Sequence, residues 1–246
     1  MSLIIFIIIL SALVIVHELG HFLVARFFGI RVDEFGIGFP PRAKKLFLWK
    51  GTPFTLNWLP FGGFVKIFGE NTHLETEFPS ALGNSVSKSS DSFQNKNRGI
   101  QAAVLMGGVV FNFLFAWLLL AIVYRSLYIG LSNTLMFTSE TIKAILHFTL
   151  AEVSGPLGIV GIVGEASSYG FSSLLILTAL ISINLSVINL VPIPALDGGR
   201  LLFVGIEAVT RRKIKPAIFN FLNLAGFALL ILLMVFITIQ DVRNIF

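Results

Sequence analysis

The sequence predicts an all-α polytopic membrane protein: four transmembrane helices, with a small membrane-associated β segment after the first. Three observations carry this expectation. The 246 residues are 55% hydrophobic and only 13% charged, whereas soluble domains carry nearly twice that share of charge. Four runs are long and apolar enough to cross a bilayer, which takes about 20 residues. Basic residues gather in alternate connections between those runs. The chain has no cysteine, which excludes disulfides and thiolate metal sites. The net charge of +5 reads as basic loops at a membrane surface, and no nucleic-acid partner is expected. Residues 1–246 are taken as a single integral membrane unit.

The first span covers roughly residues 3–28. It lacks the basic start and small-residue cleavage site of a signal peptide, so it reads as a retained helix. Residues 31–70 change character. "FTLNWLPFGGFVKIF" mixes aromatic, β-branched and turn residues without helical spacing, and reads as short strands joined by turns at Lys50-Gly51 and Gly62-Gly63. Residues 71–98 are polar and Ser/Asn-rich, a loop. The second span covers roughly 101–124. "GPLGIVGIVG" at 155–164 is too short to cross, and suits an interfacial or re-entrant piece. The third and fourth spans cover roughly 172–191 and 217–240. Nine Lys or Arg lie between spans one and two, and "RRKIK" between spans three and four. Only Arg125 and Lys143 lie between spans two and three. The positive-inside rule then puts both termini outside, with spans one and three running inward.

The first span contains "HELGH", with His17, Glu18 and His21. Residues four apart on a helix share a face, so His17 and His21 can grip one Zn²⁺ ion. Glu18 stays close enough to act on metal-bound water without being a ligand. Two ordinary core histidines would give the same letters. Their place inside a span argues for function, because ionisable groups in lipid are costly. A catalytic zinc usually has three protein ligands. The remaining histidines, His73 and His147, sit in polar or loop-like stretches. Asp197 stands out in "NLVPIPALDGGR", directly after span three. Pro192 and Pro194 end the helix there, and Gly198 and Gly199 permit a sharp turn and a close backbone approach. From Leu3 to His17 is about 21 Å of helix, so the histidines lie in the inner half of the bilayer. Span three also ends on that side, and Asp197 converges on them.

These segments together resemble the site-2 protease family of intramembrane zinc metalloproteases, in its bacterial RseP-like branch. "HELGHFLVARFFGI" is similar to its first-helix motif, and "EFGIGFP" and "PFGGFVKIFGE" to the segments that follow. "NRGIQAAVLMGGVVFNFLFA" is similar to its second-helix region, with Gly-Gly where Ala-Gly-Pro is common. "SGPLGI" and "INLSVINLVPIPALDGGRLLF" match later motifs. The resemblance implies one Zn²⁺ per chain held by His17, His21 and Asp197, with Glu18 as catalytic base. It implies cleavage within or beside a transmembrane helix of a membrane-protein or signal-peptide substrate. It also implies a bacterial inner-membrane location, with the site towards the cytoplasm. Asn189 would bind substrate backbone or the oxyanion. Its plainer alternative is an interhelical hydrogen bond, the reading favoured here for Asn184 and Asn112. Residues 54–67, with Gly62 and Gly63, would clamp an extended substrate by strand pairing; an amphipathic element resting on the inner leaflet is the alternative. One departure stands out. The connection between spans two and three is about 45 residues, too short for the PDZ domain such proteins carry there. Two other functions fit the polar span residues: a metal-binding transporter, and a catalytically silent adaptor.

Overall fold

The computed structural model describes residues 1–70, 90–147, 155–212 and 214–245. The long apolar runs form helices α1 (Ser2–Phe27), α2 (Arg98–Tyr124), α5 (Phe171–Leu190) and α7 (Pro216–Ile245). All four are long and apolar enough to cross a membrane, and they overlie the expected spans. Between α1 and α2 lie two strands, β1 (Val32–Trp49) and β2 (Thr52–Ile67). Helices α3 (Leu127–Leu146) and α4 (Pro156–Ser168) join α2 to α5, and α6 (Asp197–Thr210) joins α5 to α7.

Three segments differ from the sequence expectation, one of them α6, a 14-residue helix where a turn at Gly198-Gly199 was expected. Residues 31–70 form two long strands of 18 and 16 residues. The turn at Lys50-Gly51 is present, with positive φ at both residues. Gly62-Gly63 is not a turn. It lies inside β2, where Gly62 has φ +76° and its missing side chain leaves room for the Phe39 ring. The pair produces an irregularity that bends the strand, as a positive-φ glycine allows. The bent strands give Phe35 two partners, Val65 and Phe54, and Phe54 also pairs with Phe47. Stacked rings of Phe35, Phe54 and Phe47 fill the resulting face. Phe22 of α1 packs edge-on against Phe35 and Phe54. Phe22 and Phe35, with Ile30, Val32, Ile67 and Val104 and with Phe54 packed against them, form the core that fixes the sheet to α1 and α2, while Phe47 stays exposed at its margin.

The third difference is α3, a 20-residue helix where no element was expected. Its Ser126 cap accepts from the Ile129 N–H, and the buried Thr134 hydroxyl returns to the Gly130 carbonyl. Gly130 lets the backbone of α3 meet Ala121 of α2; a Cβ there would lie 2.6 Å from the Ala121 backbone. The Gly-rich 155–164 stretch is helical as part of α4, which at 13 residues is too short to span.

Helix α2 is central, packing against α1, α3, α5 and α6. Ser182 and Ser186 of α5 donate to the α2 carbonyls of Asn112 and Val109, at 2.8 and 3.1 Å. Such side chain to backbone bonds are a common way for helices to associate in lipid. At the crossing of α1 and α2, Gly20 faces Gly107 so closely that a side chain on either would strike the other backbone.

Candidate metal centre

The paired histidines lie in the C-terminal half of α1 and face α2. Asp197 reaches them from the first turn of α6. The α5 helix stops at Leu190, before Pro192 and Pro194. The sharp reversal that follows is carried by Ala195, with φ +80°, rather than by the glycines. Gly198 and Gly199 instead lie inside α6, where they let its first turn press on the carbonyls of Leu190, Val191 and Ile193. That contact aims Asp197 back towards α1.

His17 Nε2 lies 2.9 Å from Asp197 Oδ2, and His21 Nε2 lies 3.3 Å from the same oxygen. The two Nε2 atoms are 3.1 Å apart. The three residues thus offer one ligand atom each, all within 4.8 Å of one another. They are largely buried, so this cluster of lone pairs and negative charge needs a cation or protons between its members. The Asp197 carboxyl responds to that setting. Burial alone would raise it, but hydrogen bonds with His17 and His21 hold it well below the usual carboxylate range.

The backbone prepares one donor directly. His21 Nδ1 lies 2.8 Å from the Val104 carbonyl. A carbonyl only accepts, so Nδ1 carries a proton, and in the neutral ring Nε2 then presents the lone pair. Gly108 makes space for both rings, since a Cβ there would lie 2.5 Å from His21 Nε2 and 2.6 Å from His17 Cε1. Asn112, fully buried one turn further along α2, has Nδ2 3.3 Å from His17 Nδ1. The interhelical hydrogen bond expected of Asn112 is present, with His17 as its partner; the roles of Val104 and Gly108 were not legible in the sequence.

Glu18 adjoins the cluster without being one of its three candidate ligands. Its Oε2 accepts the backbone N–H of Val65 in β2 at 3.0 Å. Gly63 brings β2 against α1, its Cβ position lying 3.6 Å from Ile15. Gly62 and Gly63 therefore sit on the strand that adjoins the histidine helix. Asn189 is half-buried near the end of α5, and its side chain makes no hydrogen bond among the described residues. Asn184 pairs with Thr141 of α3 at 2.8 Å, a helix–helix contact. His147 is exposed at the end of α3; His73 lies outside the described residues.

Known proteins supply an independent view. The sequence profile of peptidase family M50 matches residues 5–233. The zinc metalloprotease RasP of Oceanobacillus iheyensis is 43% identical over 122 residues, 48% of this chain and 29% of that protein. RasP of Shouchella clausii is 44% identical over 100 residues, 41% of this chain and 24% of that protein. FN1322 of Fusobacterium nucleatum, provisionally named a zinc metalloprotease, is 26% identical across the whole of both chains. That alignment runs for 353 positions against a chain of 246, so the relative carries residues with no counterpart here. The matched stretch thus spans under a third of either RasP protein but all of FN1322.

Proposed function

Because the chain belongs to peptidase family M50, we propose that it is an intramembrane zinc endopeptidase cutting a peptide bond within or beside a substrate's transmembrane helix. The observation that carries this reading is the convergence of His17, His21 and Asp197 from two elements 180 residues apart. Two imidazoles and a carboxylate form the donor set of a catalytic zinc site. When bound, the ion supplies Lewis acidity at the scissile carbonyl and favours ionisation of water.

The chain's own residues do the rest. Glu18 accepts the proton of the attacking water and passes it to the leaving nitrogen as the C–N bond breaks. A carboxylate has about four lone-pair sites, so the Val65 bond orients Glu18 and leaves acceptor capacity for that water. Substrate would unwind and lie along β2, with Gly62 and Gly63 allowing close approach and Asn189 donating to substrate backbone or the oxyanion. Four apolar helices support an integral membrane protein. On this reading both termini lie outside a bacterial inner membrane and the site lies towards the cytoplasm, following the basic connections.

The test is cleavage of a panel of single-span peptides by purified protein in lipid, wild type beside Glu18→Gln, both with verified zinc content. Fragments from wild type alone are expected. Zinc bound in both with fragments from neither, across a widened panel, would favour transport or adaptor function.

A further inference from the structure

We infer that Asn112 is a positioning residue for the metal centre: its side-chain oxygen accepts the Nδ1 proton of His17 and so presents His17 Nε2 as a lone pair. This rests on the reading of His17 as a zinc ligand. The amide nitrogen faces Nδ1 at 3.3 Å, while Asn112 Oδ1 is buried without a partner. The two ends of an amide have nearly the same shape, so hydrogen bonding decides which one faces the ring.

The two orientations correspond to two states of His17. With the nitrogen end inward, Nδ1 is the acceptor and Nε2 carries the proton. That suits the 2.9 Å contact to Asp197, but a protonated Nε2 cannot bind a metal. With the oxygen end inward, Nδ1 carries the proton and Nε2 is free to ligate. The oxygen that the first arrangement leaves over is the acceptor that the second one uses.

Helix α2 repeats the device it uses for His21. Val104, Gly108 and Asn112 fall at i, i+4 and i+8, one stripe along the helix. The stripe offers the Val104 carbonyl to His21, the space of Gly108 to both rings, and Asn112 to His17. Asn112 is fixed in turn, because Ser182 holds its backbone carbonyl.

The experiment is zinc affinity of the full chain in detergent, by chelator competition at one pH, for wild type, Asn112→Leu and Asn112→Asp. Leucine fills the site without an acceptor; aspartate keeps the oxygen. N112L is expected to bind zinc about ten- to a hundredfold more weakly, and N112D to stay within a few-fold of wild type. Should N112L fail to fold, Asn112→Ala replaces it in the same comparison. Equal affinity of the two variants, whether both weakened or both unchanged, overturns the inference, because packing alone would then explain Asn112. A wild type that binds no zinc overturns this inference and the functional reading together. Zinc binding by wild type with equal variants overturns this one alone.

Discussion

The carboxylate of Glu18 accepts the backbone N–H of Val65 at 3.0 Å. This bond joins the helix that carries the paired histidines to the strand that runs along it. It gives the proposed base a fixed rotamer, and it spends the outward N–H of one strand residue on that task. The register partner of Val65 is Phe35, itself buried in the aromatic core. The position of Glu18 is thus set by the same packing that holds the sheet to α1.

Replacing Val65 by proline removes that donor while keeping an apolar side chain. A hydrogen bond to a charged group contributes about 1.5–3 kcal/mol, equivalent to about ten- to a hundredfold in rate. V65P should lose activity by that factor, and V65A, which keeps the N–H, should lose far less. Zinc content should match wild type in both. Equal turnover in V65P and wild type would show that Glu18 needs no such support.

Gly108 supplies the space in which both imidazoles sit. A methyl group there would lie 2.5 Å from His21 Nε2 and 2.6 Å from His17 Cε1. G108A should therefore weaken zinc binding at least about tenfold, the scale seen when ligand-orienting contacts are lost. Gly161 meets nothing within 4 Å of its Cβ position, and G161A serves as the matched control with unchanged affinity. Metal analysis after dialysis against a weak chelator reads both, and full retention by G108A would contradict the packing described here.

The helices that were legible in the sequence are those whose signal is local. Four runs announce themselves by length and apolarity, and "HELGH" by an i, i+4 spacing that needs only a helix. Asp197 could be placed because two prolines end a span beside it. Helix α3 escaped because Asn133, Thr134, Thr138, Ser139 and Thr141 interrupt its apolar face; the first four bond to carbonyls of the helix itself and Thr141 to Asn184 of α5. Gly62-Gly63 carries the letters of a turn, yet the strand continues through it, because pairing with β1 on both sides outweighs the local preference. The supports of the metal centre are invisible for another reason. Val104 contributes a carbonyl, which every residue has, and Gly108 contributes an absence. Both acquire meaning only when Gly20 and Gly107 let two helices cross in contact.

Asp241 was unremarked in the sequence, a lone acid near the end of an apolar helix, yet it is buried. Its Oδ1 accepts the Gly155 N–H at 3.1 Å and its Oδ2 the Gly158 N–H at 2.9 Å. Helix α4 begins at Pro156 with a glycine in the capping position, which has no side chain of its own to offer. Asp241 provides that cap from α7, where its charge also opposes the positive end of the α4 dipole. Gly155 is needed for the approach, since a Cβ would lie 2.6 Å from Asp241 Oδ2. Asp241→Ala strands two N–H groups and should lower stability by about 1–3 kcal/mol. The effect should be local first. Hydrogen exchange over 156–168 should accelerate in D241A, while zinc content stays at the wild-type level, because the cap and the metal centre share no residue. Unchanged exchange in that window would mean that packing against α1 and α5, rather than the cap, holds α4 in place.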